Sequence, residues 1–323
     1  MIRISLDEPT LARTRIAISP LWETVCSLFL LDRAAPGSLG FPYDRWEPTA
    51  RAAYADHAEV LRRVRGARFP DFLCPAPESA TPSIADELAA LAATPDDVIE
   101  AGLAGYDSAY LAAFRRPGEV RRWADALHAY WERALEPVWG GMRAALDEEV
   151  LNRARALATD GPDRLLADLH DRVRWEPPTL TLVKHEEADI PGTDRRLLLI
   201  PLIFSRGALM CSSENPAVIA VSYQARGAVV LADDRPARAS DGLALLLGKG
   251  RAQVLRALAT PSTTATLAGL LGLAPSTVSE HLSVLVTAGV AWRRRAGRRV
   301  LYGLEPAGLA MVSLITPAHR AAA

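Results

Sequence analysis

The chain has 323 residues, half of them hydrophobic and few aromatic, which is enough for roughly two domains and excludes a disordered or collagen-like composition. No run reaches the ~18 uninterrupted apolar residues of a membrane span, and the opening MIRISLDEPT lacks the basic-then-apolar layout of a signal peptide, so a cytoplasmic protein with no membrane partner is expected. The formal net charge of -1 is unevenly spread: from Gly248 onward nine Lys or Arg stand against two acids (+7), leaving 28 basic and 36 acidic residues (-8) in the other 247. Cys26, Cys74 and Cys211 lie far apart with no Cys-x-x-Cys pair, so buried thiols are expected rather than a disulfide framework or a zinc knuckle.

Two short alternations, MIRISL and TRIAIS, read as strands within residues 1–18. Ser19-Pro20 then supplies a cap and a first-turn proline for a helix carrying Trp22, Val25, Cys26, Leu28 and Phe29, stopped by Pro36-Gly37. Between about 48 and 160 the same grammar predicts five or six helices, with Thr94-Pro95-Asp96-Asp97 as a capping box. One apolar stripe there, Trp123, Leu127, Trp131, Leu135, Val138, Trp139 and Met142, is interrupted by Pro137. It reads first as core or dimer packing; the functional alternative is an aromatic-lined pocket in which Trp123, Trp131 and Trp139 bind an apolar effector. From Thr179 to about Val230 the runs TLTLV, RLLLIPLIF, AVIAVSY and GAVVLA, separated by turn-like PGTD, SSENP and QARG, predict a small sheet. The polar segment 232–242 is the expected linker. The fold class expected is mainly α with a small β component: an α+β regulatory or dimerisation domain over 1–235, then a winged helix-turn-helix over 243–316.

That second domain carries the strongest pattern. Residues 243–259 form one helix or two short ones around Gly248 and Gly250, and STTATLAGLLGL gives a short helix ending at Gly272, a residue that turns the chain without steric cost. Ser276 to Ala288 follows, with Val278, Leu282, Leu285 and Val286 facing inward. Ser276, Thr277, Ser279, Glu280 and Ser283 are left on or beside the opposite face. Short polar side chains let a helix sink into a major groove and reach phosphates and base edges. VAWRRRAGRRVLYGL then reads as a hairpin turning at Ala296-Gly297, its tip flanked by Arg293, Arg294, Arg295, Arg298 and Arg299. A basic hairpin directly after a helix-turn-helix is a wing suited to the phosphate backbone or minor groove of double-stranded DNA.

LGLAPSTVSEHLSVLVTAGV and RRRAGRRVLYGL resemble the recognition segment and wing of the ArsR/SmtB repressors, a likeness covering about 70 residues. The resemblance implies a reading face at Ser276, Thr277, Ser279 and Glu280, wing arginines on phosphates, and a homodimer on a near-palindromic operator. The apolar run Leu309, Met311, Val312, Leu314 and Ile315 suits such pairing. Glu280 departs from the neutral or basic residue expected, and three roles stay open: acceptor from a cytosine amino group, repulsion of phosphate, or a side chain turned away. Members of that family also sense metals through Cys pairs on the helix before the recognition helix, or through His and Asp on the terminal helix. Here Thr263–Leu271 has no cysteine and the tail offers only Glu305 and His319, so no metal or other cofactor is expected. Through ISPLWETV and the segment ending YQARG, the first 240 residues resemble a poorly characterised domain that precedes this winged helix in some actinobacterial regulators.

His185-Glu186-Glu187-Ala188-Asp189 lacks the second histidine of a helical zinc motif and reads as a solvated turn. No Gly-rich phosphate loop, Gly-x-Ser-x-Gly elbow or Cys-His pair stands in a strand-turn-helix context, so enzyme activity is not expected. The sequence predicts a DNA-binding transcription regulator, a repressor responding to a small-molecule effector. Its rivals are a constitutive DNA-binding protein with a dimerisation-only first domain and an enzyme with an accessory winged helix.

Overall fold

The computed structural model describes residues 1–62, 69–106, 109–167, 169, 172–184, 187–206, 208–232 and 242–315. Most of the expected linker, 233–241, and His185, Glu186 and His319 lie outside them. The chain divides into two compact units: residues 1–36 with 47–225, and residues 37–46 with 226–323.

In the first unit, β1 (Ile2–Ser5), α1 (Glu8–Ala12), β2 (Arg15–Ile16) and α2 (Pro20–Arg33) come first. Ser19 caps α2, its hydroxyl accepting from the Trp22 amide at 3.0 Å, and Pro20 takes the first helical position, where no N–H is needed. From Pro20 to Leu31 every residue of α2 is buried, Glu23 included. The helices α3 (Glu47–Asp56), α4 (Ala58–Leu61), α5 (Ile84–Ala92), α6 (Asp96–Leu103), α7 (Ala109–Ala112), α8 (Glu119–Ala134) and α9 (Glu136–Ala167) follow, a finer division than five or six helices.

The capping box forms one helix earlier than Thr94. Ser83 accepts from the Asp86 amide and Asp86 accepts from the Ser83 amide at the start of α5. Thr94 cannot cap α6, because its hydroxyl donates to the Leu91 carbonyl at the end of α5 and Pro95 becomes the cap position. Pro137 does not break a helix either: it is the second residue of α9, so the aromatic stripe runs over two helices that meet at Leu135. Gly161, at φ +80°, kinks α9 into two segments.

The expected small sheet is two four-stranded sheets. β3 (Val173–Glu176), β4 (Thr179–Leu182), β1 and β5 (Ala188–Pro191) lie in that order. β2, β6 (Arg196–Leu202), β8 (Val218–Gln224) and β7 (Cys211–Ser212) form the other. β6 and β8 run parallel and are almost wholly buried, which explains continuous apolar runs in place of alternation. MIRISL and TRIAIS thus feed different sheets. A core of Ile4, Leu6, Leu166, Leu180, Leu199, Ile219 and Tyr223 joins strands from both. GAVVLA is not a strand: Ala228–Ala232 is a 3-10 turn, entered through Gly227 at φ +85°, a backbone angle strands do not use.

The second unit contains α10 (Gly242–Leu247), α11 (Lys249–Ala257), α12 (Thr264–Leu271), α13 (Pro275–Thr287), β9 (Ala291–Ala296), β10 (Arg299–Leu304) and α14 (Pro306–Ile315). Gly248, at φ +79°, separates α10 from α11, resolving the two readings of 243–259 in favour of two short helices. Phe41 packs on this unit's core and Arg45 donates to the Ala232 carbonyl at 2.8 Å, which is how residues 37–46 come to belong to it. The whole is a mainly α protein with a small β component, an α+β region followed by a winged helix-turn-helix.

Candidate nucleic-acid interface

Thr263 opens α12 by accepting from the Thr266 amide at 3.1 Å, and Gly272 closes it in the left-handed conformation (φ 66°, ψ 26°). The Gly272 and Leu273 amides both turn back to the Ala268 carbonyl, so the chain reverses within three residues and Pro275 starts α13. Leu267, Leu271, Val278, Leu282 and Leu285 are buried between the two helices and α11, fixing which face of α13 remains outside.

Ser276, Ser279, Glu280 and Ser283 are exposed on that outer face and Thr277 is half-buried beside it. No side chain caps the N-terminus of α13. The Ser276 and Thr277 amides therefore sit where a helix end favours anions. His281 is held on the flank of the same helix. A methyl group added to Gly250 at the start of α11 would meet its Nε2 at 2.6 Å, so glycine there is what lets the imidazole seat.

β9 and β10 pair antiparallel, with Ala291 opposite Leu304 and Ala296 opposite Arg299. That register places the two-residue turn at Gly297-Arg298, one position later than the sequence suggested, and Gly297 takes φ +62° as tight hairpins require. Ser262 adds a short third strand through a pair of 2.9 Å hydrogen bonds with Tyr302. All five wing arginines are exposed. Arg293 and Arg295 share one face of the ribbon with Tyr302, whose side chain packs on the core; Arg294 and Arg299 share the other. On that second face the Trp292 ring lies across Gly303, where a Cβ would meet it at 2.3 Å, and the Arg294 guanidinium sits 5.4 Å from the ring centroid. Arg295 folds back to the Gly297 carbonyl at 3.2 Å. The wing is thus an exposed, single-signed cationic ribbon held by one aromatic anchor.

Sequence reading named Gly250 only as a possible helix break and missed both its seating of His281 and the Trp292–Gly303 contact. Their signal was available only as a glycine without an evident turn, since what each glycine accommodates is a side chain 31 or 11 positions away. The three tryptophans suggested as effector contacts lie in the first unit. Trp123 is buried, stacks edge-on against Phe114 at 6.2 Å and donates to the Leu73 carbonyl; Trp131 and Trp139 meet edge-on at 5.0 Å. None of the three lines the cavity of about 290 Å³ in that unit, which is walled by Trp22, Phe29 and Phe69. Among the described residues no group of three or more His, Cys, Asp or Glu is placed to hold a metal, and no helix is long and apolar enough to cross a membrane.

Residues 248–291 match the model of a family described as bacterial regulatory protein, arsR family. The match runs from the start of α11 through α13 to the first residue of the wing. No curated protein and no solved structure matches the chain.

Proposed function

From the premise that residues 248–291 are an ArsR-family regulatory domain, we propose that the chain is a sequence-specific transcription repressor, acting as a homodimer and released or tightened by a small molecule bound in the first unit. What carries the reading is one continuous arrangement: an outward α13 face of Ser276, Thr277, Ser279, Glu280 and Ser283 next to a wing of five exposed arginines. Hydroxyls of this length suit base edges and sugar-phosphate oxygens in a major groove, and the arginines suit phosphates beside it. Glu280 on the same face suits acceptance from a cytosine amino group in the major groove.

Dimerisation is supported by apolar surface on the flanking helices. α10 leaves Leu246 68% exposed and α14 leaves Leu309 52% exposed, both large for residues of such hydrophobicity. A two-fold pair would set its readers in major grooves about one helical turn apart, and such a footprint overlapping a promoter would block it.

Fluorescence anisotropy of the full chain on its own promoter fragment and on a scrambled duplex, at two salt concentrations, tests this. Tighter, salt-steepened binding to the promoter is expected. Equal binding to both duplexes would leave only a nonspecific DNA binder and overturn the repressor reading.

A further inference from the structure

The cavity of the first unit is built where both of its sheets end. β5 closes one sheet and β7 the other, and Ala188 and Ile190 from the first and Cys211 and Ser212 from the second line the same space. Trp22, Phe29 and Phe69 make an aromatic wall, with the Phe29 and Phe69 centroids 5.2 Å apart. The Trp22 indole N–H is committed to the Pro75 carbonyl at 2.8 Å, so towards the cavity the ring offers its apolar body. At about 290 Å³ the space stands at the small end of ligand pockets, the size of a single substituted ring.

The polar groups around it differ in how far they are already spent. Asp71 accepts from the Ser213 and Glu214 amides at 2.6 and 2.8 Å, so its carboxylate holds the cavity wall together. Glu214 is exposed. Arg33, in the last turn of α2, and Lys184, just after β4, also line the space, and among the described residues neither has a carboxylate within 4 Å. The Ser212 hydroxyl also lines the space and is neutral. The lining also holds two carboxylates, but Asp71 and Glu214 both have partners within the fold, so of the four charged side chains Arg33 and Lys184 are the ones a guest's charged end would take as partners. A flat apolar body with one negative end satisfies the wall and the cations together.

We propose that this cavity binds a single-ring aryl carboxylate, its ring against Trp22, Phe29 and Phe69 and its carboxylate between Arg33 and Lys184. The assignment rests on the effector-responsive reading above only for its regulatory consequence. The site itself is argued from its own walls.

Calorimetric titration of the full chain with benzoate and phenylacetate, against benzamide and benzylamine, tests it. Saturable one-to-one binding of the carboxylates is expected, with the amide weaker and the amine silent. Lys184→Gln and Arg33→Gln, both at solvent-accessible positions, each weaken carboxylate binding by about tenfold, the loss typical of one charge-assisted contact. Trp139→Phe, outside the cavity, leaves it unchanged. Carboxylates that fail to saturate at millimolar concentration, benzamide binding as tightly, or unaltered affinity in both cation variants would each overturn the assignment. Promoter anisotropy with the same probes separates the two readings. Carboxylate binding without promoter binding keeps the cavity and sinks the repressor, while carboxylate binding that leaves promoter affinity unchanged keeps the cavity and sinks its role as effector site.

Discussion

In the first unit, ionisable side chains are folded inward and spent on the fold's own hydrogen bonds. Glu23, wholly buried on α2, accepts from the Ile203 and Phe204 amides at the end of β6. Glu87 on α5 accepts from the Ser19 hydroxyl and the Leu21 amide. Arg153 and Glu149 pair at 2.7 Å beneath the Tyr223 ring. In the second unit, charge is turned outward: Arg293, Arg294, Arg295, Arg298 and Arg299 all stand exposed on one short ribbon. The same residue types therefore do different work. Where an ionisable group meets backbone amides inside the protein it specifies how elements dock, and where it stands exposed it can reach a partner. Substitutions should accordingly show up as lost stability in the first unit and lost DNA affinity in the second.

The largest expected effect is on stability. Glu23→Ala leaves two buried amides without an acceptor and a hollow under α2, and should cost about 3 kcal/mol in urea denaturation. Glu280→Ala, on the exposed face of α13, should leave the midpoint nearly unmoved. Equal shifts in the two variants would erase the contrast between inward and outward charge.

The same buried carboxylates make the first unit sensitive to pH. Burial raises Glu23 from 4.5 to about 8 and Glu87 from 4.5 to about 7, against the opposing pull of their hydrogen bonds. Between the unfolded and folded values the native chain holds protons that the unfolded chain has released, so stability falls as pH rises. Its contribution is complete below about 4.5 and lost through pH 7 and 8. Stability measured in urea should therefore fall between pH 7 and pH 8.5 by on the order of 2 kcal/mol, and Glu23→Gln should flatten that fall. A flat profile in the unaltered chain would show that both groups are already ionised in the fold.

These features differ sharply in how visible they are in sequence. Ser19-Pro20, Gly272 and the i, i+4, i+7 spacing of Val278, Leu282 and Leu285 are local signals, and each stands where the sequence places it. The wing turn slipped by one position because register is set by the partner strand, and GAVVLA reads as a strand only until Gly227 donates to the Gly269 carbonyl and turns the chain into a 3-10 helix. β1 finds its partners near residues 180 and 190, a separation no local pattern encodes. Glu23 did carry a signal: a helix apolar on every side must bury whatever acid it contains. The cavity carried none as a whole, since its walls come from six separate stretches of chain and only Trp22 and Phe29, one helical repeat apart on α2, share a periodicity.

On the outward side the wing should respond in proportion to charge alone. Arg298→Ala with Arg299→Ala should weaken binding to promoter and scrambled duplex alike by about tenfold at moderate salt, and lower the slope of log affinity against log salt by about two. A variant that lost affinity for the promoter only would move these arginines from backbone contact to sequence reading.

The smallest effect is the one that most sharply divides the exposed surface itself. Ser279 stands on the outer face of α13, one turn in from an N-terminus that no side chain caps. Its hydroxyl can serve phosphate or a base edge, and the two roles leave different traces. A phosphate contact is blind to sequence, so its removal lowers affinity for every duplex equally. A base contact is worth about 1 kcal/mol against the wrong base, so Ser279→Ala should weaken the promoter by about fivefold and leave the scrambled duplex unchanged. Stability is unaffected in either case because the side chain is exposed. Measured on both duplexes, parallel losses would assign Ser279 to positioning and leave Ser276, Thr277, Glu280 and Ser283 as the readers.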